Sequence, residues 1–191
     1  MTEQTRLTPT PGQTVVPFYG YALPYPGDRE LVPPGSSRAV ELHGVVYDGA
    51  GDPVPDAILE IWQPDETGTV VLRTGSLRRD GFTFTGFGRC AADPEGRFSF
   101  STVEPGPTEA GRARFISVVV FARGLLNRLF TRVYLPEDTE AHATDPLLSS
   151  LESAERQRLI AVREADGSLR FDIRLQGEDE TPFLRFPSHD D

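Results

Sequence analysis

Residues 42–63 read LHGVVYDGAGDPVPDAILEIWQ, and this stretch decides the fold class. Apolar and polar positions alternate through residues 42–47 and again through 57–62, the period of a strand with one buried face. Between the two runs lies Asp48-Gly49-Ala50-Gly51-Asp52-Pro53-Val54-Pro55. Glycine supplies positive φ and proline a fixed φ, so this cluster reverses the chain. The two runs are therefore expected to pair as a hairpin, with Trp62 packed into the core in the manner usual for sandwiches.

The pattern continues outward from this stretch. Residues 97–101 (RFSFS) alternate strictly and end before a Pro105-Gly106-Pro107 break. Residues 115–122 (FISVVVFA) are apolar at nearly every position, which predicts a strand buried on both faces. A further strand is expected over 128–135, and a long Gly- and Arg-rich loop over 77–88. Residues 159–176 predict a hairpin around a two-residue type I′ turn at Asp166-Gly167. Helix is expected only within 145–160, where Pro146 suits a first helical turn. The fold class is thus all-β, an antiparallel β-sandwich with one or two short helices.

Residues 1–38 form a distinct arm. Prolines at 9, 11, 17, 24, 26, 33 and 34 exclude a helix or a central strand, while aromatics at 18, 19, 21 and 25 are too many for a solvated linker. An extended segment lying on a surface, its own or that of another subunit, fits both facts. The sandwich domain is expected over 39–186, followed by a polar tail at 187–191.

A chain of 191 residues with 18 Gly, 17 Pro and 12 Phe suits a loop-rich β protein. Its net charge of −10 argues against nucleic acid, whose phosphates need a cationic surplus. The Arg-dominated basic residues suit placed ion pairs more than a solubilising coat. One cysteine, Cys90, excludes an internal disulfide and a multi-cysteine zinc site. No apolar run approaches the ~20 residues that span a bilayer. The polar start of the chain lacks the apolar region of a secretory signal, so a cytoplasmic protein is expected.

The chemistry-bearing residues are sparse. His43, His142 and His189 are scattered, and a mononuclear centre needs several converging ligands. His142 and Asp145 give only a short motif match, and His43 reads as a half-buried strand residue with a neighbour on its ring. Cys90 stands beside Arg89 without a base in sequence, so it reads as a small buried hydrophobe. There is no Gly-x-Ser-x-Gly elbow and no phosphate-cradling glycine loop.

Taken together, residues 42–63, the segment 86–100 (GFGRCAADPEGRFSF), the Glu104-Pro105-Gly106-Pro107 turn, the strand after it and the closing run 170–178 resemble the intradiol ring-cleavage dioxygenases. That resemblance implies a ferric ion held by two tyrosines and two histidines. One tyrosine belongs in the loop after Trp62-Gln63, yet residues 64–87 contain none. The second follows the Pro-Gly-Pro turn, where Thr108 stands. The histidines form a His-x-His pair, whose spacing puts both on one face of a strand; Phe115 and Ser117 hold those positions. The resemblance therefore implies no iron and no catalytic residue in this chain.

Protocatechuate-cleaving members of the family pair an iron-bearing chain with a homologous iron-free one, and this sequence resembles the latter. It implies a hetero-oligomer with an iron-binding β subunit, in which Fe(III) resides in the partner and protocatechuate and O₂ meet at a shared site. Residues 10–18 (TPGQTVVPF) and Phe121-Ala122-Arg123-Gly124 carry the closest likeness. Carried over, Thr14, Val16, Pro17 and Phe18 line the pocket, and Arg123 stands beside it. Phe18 replaces a frequent tyrosine and Val16 a glycine, which alters the polarity and width of that pocket. A transthyretin-like binding or assembly module without an enzymatic partner is the alternative, since such modules share a similar Gly/Asp/Pro stretch.

Overall fold

The structure is a computed structural model and describes residues 22–72 and 79–186. Nine strands form two sheets among these residues. The first sheet contains β1 (Val40–Tyr47), β4 (Arg97–Thr102), β7 (Val162–Arg163), β8 (Leu169–Arg170) and β9 (Ile173–Arg174). Its order is β4-β1-β8-β7, with β9 also on β1. The second sheet runs β3 (Phe87–Ala91), β2 (Ile58–Trp62), β5 (Phe115–Phe121), β6 (Leu129–Tyr134). Pairing within it is antiparallel throughout, whereas β8 and β9 run parallel to β1.

The expected hairpin of residues 42–63 does not form. β1 pairs with β4 and β2 pairs with β3 and β5, so the connection crosses from one sheet to the other. The chain does reverse at Asp48, whose carboxylate accepts the N–H groups of Ala50 (2.8 Å) and Asp52 (3.0 Å). The antiparallel contact stops after the Tyr47–Pro53 bridge, because Pro53 and Pro55 have no N–H to extend a ladder. Asp56 then takes φ +58°, a left-handed conformation that Asp tolerates, and launches β2 into the facing sheet.

The core lies between the sheets. Leu42, Val46, Phe98, Phe100, Leu169, Phe171 and Ile173 face Leu59, Ile61, Cys90, Ile116, Val118, Val120 and Val133. Leu31 and Val32 are also buried, held by N–H bonds to Ser101 O of 2.8 and 3.2 Å. Strand β5 is fully buried at Val118, Val119 and Val120, but Phe115, Ser117 and Phe121 are only half-buried. The strand expected over 169–176 breaks at Phe171-Asp172, where the Asp172 carboxylate takes the Val45 N–H (3.1 Å) in place of a backbone carbonyl.

Three short helices occur among the described residues, where one or two were expected: α1 (Thr139–Thr144), which lies ahead of the expected 145–160 range, α2 (Pro146–Ser150) and α3 (Ser153–Gln157). Pro146 opens α2 as its sequence position suggested, and Asp145 caps it by accepting the N–H groups of Leu147 and Leu148. The turn at Asp166-Gly167 differs from the expected type I′. Glu164 and Ser168 close a three-residue loop, with Gly167 at φ +90° and Asp166 outside the left-handed region that type I′ demands. The loop over 79–86 reaches only to Gly86, because Phe87 already pairs with Trp62.

Candidate functional site

Alternation along β5 puts Phe115 and Ser117 on the outer face of the second sheet, away from the core. Register brings Trp62 opposite Ser117, Tyr134 opposite Phe115, and Arg132 opposite Ser117. The Pro105–Pro107 turn packs against the loop after β2, with Gly106 N–H donating to Asp65 O at 2.7 Å. A Cβ at Gly68 would strike the Pro107 carbonyl, so this approach depends on glycine. The fold thus gathers Phe115, Ser117, the 64–72 loop and the Pro-Gly-Pro turn at one end of the sheet. Thr108 beside that turn is exposed.

A cation occupies this face. The Arg132 guanidinium stands 4.1 Å from the centroid of the Phe115 ring and donates to the Tyr134 hydroxyl at 3.2 Å. Arg132 was not singled out from sequence, because only the β5–β6 register places it over Phe115. A ferric ion requires anionic or imidazole donors. A phenyl ring, a hydroxyl and a guanidinium supply neither, and the positive charge repels a metal. The residues here do not fit the iron of an intradiol centre. No group of three or more His, Cys, Asp and Glu suited to a metal occurs among the described residues.

Tyr134 closes the inner end of this cluster. Burial pushes its hydroxyl up to about 12, Arg132 draws it down, and the bond it donates to Asp145 (3.0 Å) favours the neutral form. A free tyrosine titrates near ~10. The raised value means that stability from this group is complete below pH ~10 and lost as pH rises toward 12. Tyr134→Phe is expected to flatten that alkaline slope, checked by urea unfolding between pH 9 and 12. Asp145 is committed to Tyr134 and to the α2 cap. His142 is buried edge-on at 5.9 Å from the Tyr134 ring, with no partner on Nε2 among the described residues. The two do not form a metal pair.

Arg123 follows β5 at the rim and is 57% exposed, as its polar position after an apolar strand requires. Its guanidinium Nε donates to Asp56 Oδ1 at 3.3 Å, the residue that turns the chain into β2. Thr14, Val16, Pro17 and Phe18 lie outside the described residues.

Three other residues test the sequence reading directly. Trp62 is 46% exposed and leans on Phe87 (centroids 4.6 Å apart), so it belongs to the outer face and not to the core. Alternation had the phase reversed: Leu59 and Ile61 point inward, so Trp62 must point out. Cys90 is buried, and burial raises its thiol pKa, as expected of an inert side chain. His43 Nε2 has neighbours at 3.2 Å in Ser168 Oγ and Glu164 Oε2. An open groove of about 760 Å³ adjoins the 64–72 loop and the Pro-Gly-Pro turn, lined by Arg38, Glu66, Glu104, Glu137 and Arg163. Its charges pair with one another, which reads as a salt-bridged surface.

A family model described as Dioxygenase matches residues 28–177. The chain belongs to the intradiol dioxygenase family. It is 38% identical over 196 residues to the protocatechuate 3,4-dioxygenase alpha chain of Burkholderia cepacia, covering 94% of this chain and 98% of that one. The beta chain from the same organism is 34% identical over 190 residues, covering 88% and 80% respectively. Among solved structures, the dioxygenase domain of a dioxygenase carbohydrate-binding fusion from Streptomyces sp. SirexAA-E has a TM-score of 0.59 at 26% identity, covering 89% of this chain and 99% of that one. The chain is thus an intradiol dioxygenase homologue along nearly its whole length, and its likeness to a known alpha chain covers 94% of it. Intradiol dioxygenases are iron enzymes. This member keeps their two-sheet frame, while the end of the sheet that gathers Phe115, Ser117 and Arg132 is built for something other than a metal.

Proposed function

We propose that this chain is the iron-free alpha subunit of a protocatechuate 3,4-dioxygenase. One observation carries the reading: a two-sheet dioxygenase fold in which Phe115, Ser117 and Arg132 give the outer face an aromatic ring, a hydroxyl and a cation. The ferric ion of a homologous beta subunit supplies the dioxygen chemistry. There 3,4-dihydroxybenzoate is cleaved between its hydroxylated carbons, and both oxygen atoms enter the product, 3-carboxy-cis,cis-muconate. The likeness to both an alpha and a beta chain supports two homologous subunits in one assembly.

The alpha chain's part is to bind, shape and shield. Thr14, Val16, Pro17 and Phe18 line one wall of the shared pocket and exclude water from it. Phenylalanine at 18 and valine at 16 bring less polarity and more bulk to that wall than tyrosine and glycine would. Arg123 offers its guanidinium to the substrate carboxylate. Asp56 holds that side chain at the rim until an anion competes for it. Arg123→Ala in the co-expressed complex is expected to raise KM about tenfold, the loss of one charge-assisted contact, with kcat and iron content retained. Unchanged steady-state kinetics would remove Arg123 from the pocket.

A further inference from the structure

The residues that join the arm to the sandwich are held by two arginines in an unusual way. Arg79 is half-buried and directs its whole guanidinium at neutral oxygens. Nε donates to Gly27 O (3.3 Å) and Nη1 to Thr85 Oγ1 (2.7 Å). Nη2 reaches Tyr25 Oη (3.3 Å), Asp28 O (3.1 Å) and Phe87 O (2.6 Å). Arg89, on β3, donates from Nη1 to Leu23 O (2.7 Å) and from its backbone to Asp28 O (2.8 Å). Its Nε is turned to Glu60 (2.9 Å). The centroid of the Tyr25 ring is 5.8 Å from the guanidinium carbon of each arginine.

We infer that Arg79, with Arg89 as its second point, is a positioning residue that sets where the chain departs toward residues 14–18. This rests on the reading that those residues line the shared pocket. The physical case is one of leverage. Leu23 is five residues beyond Phe18, and an extended chain advances at most ~3.6 Å per residue. The point fixed at Leu23 therefore lies within ~18 Å of Phe18. Pro24 and Pro26 flank Tyr25 and fix φ on either side of it, so a rotation at Tyr25 is passed to Leu23 rather than absorbed.

Among the described residues, residues 23–28 are tied to the sheets chiefly through bonds that these two arginines make. The local bonds Asp28 N–H to Tyr25 O and Glu30 N–H to Gly27 O shape its turn but do not attach it to a sheet. Beyond the Arg89 N–H bond to Asp28 O, backbone attachment among the described residues resumes at Arg29–Val32, against Ser101 on β4. An arginine fits the task because its planar fork can bond several carbonyls at once while the delocalised charge faces an aromatic ring. Lysine offers a point charge and cannot span the same acceptors.

The test uses the co-expressed alpha–beta complex and four forms of this chain: wild type, Arg79→Ala, a truncation lacking residues 1–21, and both changes together. The inference expects Arg79→Ala to raise KM for protocatechuate several-fold, with kcat, iron content and complex stoichiometry preserved. The truncation should raise KM at least as much, and the double variant should equal the truncation alone. A raised KM in the truncation with none in Arg79→Ala overturns the clamp but leaves the arm in the pocket. An unchanged KM in the truncation overturns the arm's role, and the clamp with it. An equal further rise when Arg79→Ala is added to the truncation makes Arg79 a general structural residue and also overturns the inference. Should Arg79→Ala fail to fold, Arg79→Gln, which keeps a donor toward Phe87 O but loses the charge and the fork, is measured in the same design with the same outcomes.

Discussion

Gly44→Ala is expected to leave little or no folded protein. The obstacle is space and not φ, since Gly44 is outside the left-handed region. A Cβ there would fall far inside contact distance of the Phe171 carbonyl and also press on the Phe98 ring. That closeness is fixed from both sides. Phe171 N–H donates to His43 O at 2.8 Å, and Val45 N–H donates to the Asp172 carboxylate at 3.1 Å. Making room would separate β1 from β8 and β9, the only strands that join the closing run to the first sheet among the described residues. A backbone clash of this kind costs more than ~4 kcal/mol, a large part of a typical domain's stability of ~5–15 kcal/mol. Circular dichroism and thermal melting decide it. A cooperative transition near that of wild type would contradict the packing. Gly51→Ala is the control: its site is open, so only the strain of φ +88° applies and ~1 kcal/mol is expected.

Gln63→Leu carries the second large effect. Gln63 is almost fully buried between the sheets' ends, and its amide satisfies three groups. Nε2 donates to Val103 O (2.8 Å) and Pro64 O (3.3 Å), and Oε1 accepts from the Thr102 hydroxyl (2.7 Å). Thr102 and Val103 are themselves buried, so leucine would strand a hydroxyl and a carbonyl away from water. The expected loss is about 2–4 kcal/mol in denaturant unfolding. Adding Thr102→Val removes the stranded hydroxyl, and the double variant should recover a measurable part of the loss. Strict additivity would show that the bond between these side chains does not matter. In the pair Trp62-Gln63, the polar residue is thus the buried anchor and the tryptophan the exposed one.

That inversion illustrates what the sequence made legible and what it did not. Alternation correctly located β1, β2 and β4, and the continuous apolar run located β5. Pro146 correctly marked the start of a helix. What alternation cannot specify is the partner of a strand: the runs flanking Asp48–Pro55 are adjacent in sequence yet belong to opposite sheets. Nor does it fix phase in a five-residue strand, which is why Trp62 turned outward while Ile61 filled the core. The site shows the same division. That Phe115 and Ser117 share one face could be read from their spacing of two on a single strand. Arg132 could not, since its place over Phe115 is created by the β5–β6 register alone. Arg79 was hidden for a different reason: its acceptors, from Tyr25 to Phe87, are scattered over more than sixty residues of sequence.

On the proposed function, this chain lends shape, and not metal, to a dioxygenase. Metal analysis joined to a dioxygenase assay tests it most directly, on the chain purified alone from iron-replete cells and on its complex with an iron-bearing homologue. The isolated chain is expected to carry no iron, to be colourless and to consume no O₂ with protocatechuate. The complex should hold iron in proportion to the partner chain and cleave the ring. Ferric iron with its visible absorption and ring cleavage in the isolated chain would contradict the account.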